Sequence, residues 1–143
     1  MILATRHTGI VVSDMEENLR FWRDICGLEV VADFWEEGSY IDTVQHLDGV
    51  KLHMIKLAGP DGVLIELLKD ENHPTAPSES NELCDMGIRH IAFTIGDADE
   101  SYRVFKEKGL EVLSSPVDSP DKKARLFFAR DPEGNLLELV QVL

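Results

Sequence analysis

Two stretches of the sequence decide the fold: residues 6–14 read RHTGIVVSD and residues 89–97 read RHIAFTIGD. The two stretches align residue by residue, and both are enriched in β-branched and aromatic residues, which predicts a strand in each. A match of this kind, occurring twice in one chain, indicates two copies of one supersecondary unit.

Each predicted strand is followed by a helix-start signal. Ser13 has Glu16 three residues on, and Asp97 has Glu100 at the same spacing. Apolar residues then recur at helical spacing, and a glycine ends each helix. A strand is predicted after each glycine, at about residues 28–35 in the first copy and 110–114 in the second. The repeat therefore extends over strand, helix and returning strand.

The second half of each copy repeats as well, since residues 60–67 read PDGVLIEL and residues 132–139 read PEGNLLEL. We predict an α+β fold of two βαβββ modules, with an extra short helix around residues 40–47 in the first. The 143 residues are expected to form one domain with these parts: module 1 at about 5–69, a linker at 70–86 and module 2 at about 87–143.

Charge and composition exclude several function classes. A net charge of −13 argues against binding to nucleic acid or to an anionic membrane surface. No signal peptide or membrane span is evident, so we expect a cytoplasmic protein with two free thiols. A small anionic substrate needs only local cations such as Lys122, Lys123 and Arg125, although a solvated turn is the alternative interpretation of that cluster.

Four side chains are candidates for chemistry. Strand parity puts His7 and His90 opposite the bulky rows of their strands, and puts Glu66 and Glu138 on a face with aliphatic residues. An unpaired carboxylate buried there would cost several kcal/mol or take up a proton. A lone strand histidine is commonly structural, and a lone glutamate commonly marks an edge strand. Because both recur at equivalent positions, the pattern favours a divalent metal balanced by two carboxylates.

These residues lie in segments that resemble a known family. The segments are RHTGIVVSDMEENLRFWRDICGLEV, GIRHIAFTIGDADESYRVFKEKGLEV and FFARDPEGNLLELV. They resemble the vicinal oxygen chelate superfamily, which includes glyoxalase I, methylmalonyl-CoA epimerase, extradiol dioxygenases, and fosfomycin and bleomycin resistance proteins. The resemblance implies paired βαβββ modules that form a U-shaped cup around a metal, a small-molecule substrate with two adjacent oxygens, and a homodimer. It also implies metal ligands at His7, Glu66, His90 and Glu138.

The order His, Glu, His, Glu is similar to that of bacterial glyoxalase I. This likeness implies one divalent ion (Ni²⁺, Co²⁺, Zn²⁺ or Mn²⁺) and a lactoylglutathione lyase-like proton transfer next to a metal-chelated carbonyl. Glu66 or Glu138 would move the proton. Tyr40, His46 and Arg125 are further predicted to contact substrate.

Three other functions stay open at this stage. Methylmalonyl-CoA epimerases usually have glutamine at the position of Glu66, which counts against an epimerase. A dioxygenase or a resistance transferase would use the triad of His7, His90 and Glu138. A non-catalytic binder would resemble bleomycin-sequestering proteins, which typically lack the ligands that this chain retains. The exact substrate, and whether it carries glutathione or CoA, is not specified by these residues.

Overall fold

The computed structural model describes residues 1–77 and 82–143. The elements of the first part are β1 (His7–Val11), α1 (Met15–Leu19) continued by a π-helix (Arg20–Ile25), β2 (Glu29–Glu37), α2 (Ser39–Gln45), β3 (Lys51–Ala58) and β4 (Leu64–Asp70). The elements of the second part are β5 (His90–Thr94), α3 (Ala98–Glu107), β6 (Val117–Asp118), β7 (Ala124–Arg130) and β8 (Leu136–Val142). No helix in the described residues is long and apolar enough to cross a membrane.

The chain divides into two compact units, Met1–Pro77 and Ser78–Leu143. Each unit has a four-stranded sheet, in the order β1-β4-β3-β2 in the first and β5-β8-β7-β6 in the second. The opening strand lies parallel to the closing strand, and the other pairs are antiparallel. The prediction of an α+β fold with two βαβββ modules is confirmed. The single-domain organisation with a linker at 70–86 stays a prediction.

The first unit buries the bulky row of β1, as predicted from strand parity. Ile10 and Val12 are buried, whereas Val11 on the other face is 61% exposed. The N-cap of α1 is Asp14, one residue after the predicted cap Ser13. The Asp14 carboxylate accepts the backbone N–H of Glu17 at 2.9 Å. The buried row faces the helix side of the sheet, so the opposite face is open.

The second unit follows the same plan. Asp97 caps α3 by accepting the backbone N–H of Glu100 at 2.9 Å, as predicted. Phe127 on β7 is buried and contacts Tyr102 and Phe105 of α3 edge-on, with ring centroids 5.8 and 6.0 Å apart. This packing fixes odd-numbered residues of β7 on the helix side and leaves its even-numbered residues on the open face.

Two local features differ from the sequence-based expectation. A strand was expected at residues 110–114, but that segment makes only the single bridge between Val112 and Ala129, and the edge strand is Val117–Asp118. Pro116 lies between the two segments and has no N–H to donate to a ladder. The first helix turns into a π-helix in which the Cys26 N–H donates to the Phe21 carbonyl at 2.9 Å.

The extra helix expected in the first module is α2, and it covers part of the open face. Ile41 is buried in a cluster with Val50, Leu52 and Met54, against which Leu68 also packs. Leu52, Met54 and Leu68 belong to the same face as Glu66, because Met54 pairs with Leu68 and Lys56 with Glu66. One end of the open face of the first sheet is therefore apolar and covered, and the part around Glu66 lies next to it.

Candidate metal centre

In the first unit, a histidine and a glutamate meet on the open face. The Nε2 atom of His7 lies 3.2 Å from Oε2 of Glu66. The residue beside Glu66 in the parallel pairing is Gly9, where an added Cβ would lie 3.3 Å from Cδ1 of Leu68. Glu66 is buried, as expected from its apolar strand.

The second unit contains the equivalent pair. The Nε2 atom of His90 lies 3.3 Å from Oε2 of Glu138, and the small residue Ala92 takes the position that Gly9 has in the first unit. The His90 ring also meets Phe128 edge-on, at a centroid distance of 5.5 Å. The repeat seen in the sequence thus produces the same side-chain pair in both units.

Each pair, taken by itself, suits two ligands of a metal ion in donor type and spacing. Two ligand atoms about 2.1 Å from an ion, at angles of 90–109°, lie about 3.0–3.4 Å apart. The two observed nitrogen–oxygen distances fall within that range. One imidazole and one carboxylate are also the donors that Zn²⁺, Ni²⁺, Co²⁺ and Mn²⁺ accept. Each unit therefore presents half of the predicted ligand set in a geometry that fits a divalent ion.

Two observations count against a complete metal site in the described residues. Within residues 1–77 and 82–143, no group of three or more His, Cys, Asp or Glu side chains is placed to hold an ion. The buried Nδ1 of His7 has no hydrogen-bond partner among the described residues, whereas metal-bound histidines usually donate that proton. The set of four ligands therefore stays a prediction, and only its two halves are observed.

The surroundings of the two carboxylates differ. Lys56 on β3 faces Glu66, and its Nζ lies 3.2 Å from Oε1, while Oε2 points to His7. The residue that faces Glu138 at the equivalent position of β7 is Phe128. The Glu66 side chain is 9% exposed and that of Glu138 is 23% exposed. Glu66 is therefore held by a cation, whereas Glu138 is more open and lies beside an aromatic ring.

The sequence analysis missed Lys56, although the turn between β3 and β4 contained the signal. The Pro60-Asp61-Gly62 turn centres the hairpin on Asp61, whose carboxylate accepts the Val63 N–H at 3.0 Å. Residues equidistant from that centre face each other, and Lys56 and Glu66 are such a pair.

The turn between β7 and β8 is built similarly around a buried carboxylate. Oδ1 of Asp131 accepts the backbone N–H groups of Glu133 and Asn135, at 3.0 and 2.8 Å. Burial raises the pKa of Asp131, and the hydrogen bonds from Asn135 and Glu133 oppose that rise. The turn fixes the register that places Phe128 opposite Glu138.

The three residues predicted to contact substrate lie in different parts of the structure. Arg125 lies on the helix side of the second sheet, where its guanidinium donates to Asp99 and Asp118 at distances of 2.7–3.0 Å. Those hydrogen bonds raise the pKa of Arg125 and use three of its five N–H donors. Arg125 therefore lies on the face opposite to Glu138, because its odd position in β7 turns it toward α3. Its contact with substrate stays a prediction.

Tyr40 and His46 both belong to the region of α2. Tyr40 is exposed, and the buried residue next to it, Ile41, is the one that packs on the sheet. His46 ends the helix in the left-handed conformation, with φ of 56°. Their contact with substrate stays a prediction.

Comparison with known proteins agrees with the fold. A family profile described as "Glyoxalase/Bleomycin resistance protein/Dioxygenase superfamily" matches residues 5–139. The uncharacterised protein YwkD of Bacillus subtilis is 27% identical over 143 residues, which cover 99% of this chain and 98% of YwkD. Lactoylglutathione lyase of Schizosaccharomyces pombe is 27% identical over 144 residues, covering 94% of this chain but 46% of the lyase. The crystal structure of a glyoxalase family protein from Bacillus cereus matches with a TM-score of 0.90 at 25% identity, covering 100% of this chain and 96% of that one.

Proposed function

Because the chain belongs to the Glyoxalase/Bleomycin resistance protein/Dioxygenase superfamily, we propose that it is a divalent-metal-dependent lyase or isomerase of the glyoxalase I type. Its substrate is a small molecule with two adjacent oxygens, and the reaction moves a proton next to a carbonyl. The observation that carries this proposal is the histidine–glutamate pair in each unit, at nitrogen–oxygen distances of 3.2 and 3.3 Å. His7, Glu66, His90 and Glu138 are the proposed ligands.

The bound ion would polarise the substrate carbonyl and stabilise negative charge that develops on it. We assign different roles to Glu66 and Glu138. Lys56 holds Oε1 of Glu66 in place, so Glu66 serves to bind the ion. Glu138 is the more exposed carboxylate and has Phe128 rather than an ammonium opposite it. We assign removal and return of the carbon-bound proton to Glu138.

Metal analysis of the purified protein tests the ligand set. After incubation with Ni²⁺, Co²⁺, Zn²⁺ or Mn²⁺ and removal of excess ion, the wild type should retain about one ion per chain. His7→Ala and Glu138→Gln should lose at least tenfold in metal affinity. His73→Ala is the matched control, since His73 pairs with Asp70 outside the proposed ligand set. A wild type that retains none of these ions would refute the proposal.

An activity assay tests the reaction. The hemithioacetal of glutathione and methylglyoxal is the first substrate to measure, and loss of the base should lower kcat by about 10²–10⁴-fold. Glu138→Gln should therefore lower kcat by about 10²–10⁴-fold at metal concentrations that saturate the variant. If saturated Glu138→Gln turns over as fast as the wild type, the assignment of the base to Glu138 is wrong.

A further inference from the structure

Lys56 is a charged residue that the repeat does not account for. It occupies the middle of the open face of the first sheet, with Nζ 3.2 Å from Oε1 of Glu66 and 5.4 Å from the centre of the Phe34 ring. The equivalent residue of the second unit is Phe128, which faces Glu138. A positive charge directly opposite the glutamate is therefore present in the first unit and absent from the equivalent position of the second.

The ammonium group of Lys56 has donors available besides the one that Glu66 uses. A lysine ammonium has three N–H donors and no acceptor, and one of them points to Oε1 of Glu66. The side chain is 24% exposed, so a ligand on the open face can reach it. Of the described strand residues that share this face of the first sheet, Lys56 alone is cationic.

The charge of the proposed site then has a consequence for its ligand. In the first unit Glu66 faces both His7 and Lys56, so an ion bound by Glu66 would leave the positive charge of Lys56 without its full counter-charge. This charge lies in a chain whose net charge is −13, which at long range disfavours anions. A cation next to the ligand set can neutralise Glu66, and it can also bind a ligand that is itself negatively charged.

We infer that Lys56 determines substrate specificity by donating to a negatively charged oxygen of the substrate. The substrate class is an anionic chelator, in which one of the two adjacent oxygens belongs to a carboxylate, as in an α-oxo or α-hydroxy acid. Such a group can bind the ion through one oxygen and accept from Lys56 with another. This inference rests on the proposed function, because the ion places the chelating oxygens.

The competing role for Lys56 is structural. The ammonium would then only neutralise Glu66, and a ligand's charge would not matter to it. The two roles differ in one measurable quantity, which is the preference for a charged over an uncharged ligand of the same shape. Pyruvate and pyruvamide form such a matched pair, since both offer adjacent oxygens and only pyruvate is charged.

The experiment measures binding of both probes to Mn²⁺-loaded protein by titration of water-proton relaxation. Metal content is measured first, so that every sample is compared at equal Mn²⁺ occupancy. The ion itself favours pyruvate, and for that reason the informative number is the pyruvate-to-pyruvamide affinity ratio in each variant. Lys56→Met should lower this ratio by about tenfold or more, and Lys56→Arg should largely preserve it.

Lys51→Met is the control variant. Lys51 is on the same strand but on the opposite face, where its ammonium lies over the Trp35 ring. Its loss changes the net charge equally, so any effect of overall charge appears in both variants, and its affinity ratio should match that of the wild type. An unchanged ratio in Lys56→Met overturns this inference while leaving the metal site intact. A wild type that takes up no metal overturns the proposed function and this inference together.

Discussion

The ion pair between Lys56 and Glu66 makes a prediction that needs no bound metal. In metal-stripped protein, Glu66→Gln removes the counter-charge and leaves a partly exposed ammonium beside Phe34. At 3.2 Å, and with an effective dielectric constant of about 20, the attraction is about 5 kcal/mol. Desolvation of both groups offsets much of that energy. We expect Glu66→Gln to destabilise the protein by about 2–3 kcal/mol.

The double variant Glu66→Gln/Lys56→Met isolates the pair. Removing the ammonium as well should recover part of the lost stability, giving a coupling energy of about 1–3 kcal/mol. Urea unfolding followed by tryptophan fluorescence is the assay, because Trp22 and Trp35 both belong to the first unit. Glu138→Gln, measured by far-UV circular dichroism, should cost less than about 1 kcal/mol because Glu138 is more exposed and faces Phe128.

The result that refutes this reasoning is a coupling energy below about 0.5 kcal/mol, which is the additivity expected of independent sites. In that case Lys56 does not hold Glu66, and the different roles assigned to the two glutamates lose their basis. An equal loss of stability in Glu138→Gln and Glu66→Gln would also contradict this reasoning, because Glu66 pairs with Lys56 whereas Glu138 faces Phe128.

Three further predictions concern stability. Phe127→Ala should cost about 3–5 kcal/mol in chemical denaturation, since Phe127 is 1% exposed. Ile41→Ala should lower the free energy of unfolding by about 2–4 kcal/mol, because Ile41 is buried. Tyr40→Ala, at the exposed neighbouring position, should lower it by less than about 0.5 kcal/mol. Equal losses in the two variants would mean that α2 does not pack through Ile41. Burial would raise the pKa of Asp70, but hydrogen bonds from Asn72, from Lys51 and then from the His73 side chain outweigh it and lower the pKa. The ionised Asp70 carboxylate therefore stabilises the protein above its unfolded-state pKa of about 4, and this stabilisation is lost as the pH falls through the lower folded-state pKa. Asp70→Asn should lower the free energy of unfolding by about 1–2 kcal/mol at pH 7 and make that free energy less dependent on pH in the acid range.

Much of the fold followed from local patterns in the sequence. The alternation of bulky and small residues in 6–14 and 89–97 predicted which face of each strand is buried, because successive strand residues point to opposite faces. The parallel pairing of the opening and closing strands then put each histidine on one face with its glutamate. The prediction of a strand at 110–114 was wrong, since its apolar residues form a single bridge and Pro116 interrupts the edge.

The sequence by itself determined the duplicated βαβββ pattern and the histidine and glutamate that each module contributes, since these depend on period and residue type along the chain. Tertiary structure alone decided which residues the charged side chains pair with. Arg125 is paired with Asp99 of α3 and Asp118, and Lys56 with Glu66. Coulomb attraction and hydrogen bonding depend on distances of a few ångströms between residues far apart in the chain, and strand register and helix packing set those distances. Two carboxylates that look equivalent in the sequence thereby acquire different neighbours, a lysine for Glu66 and a phenylalanine for Glu138.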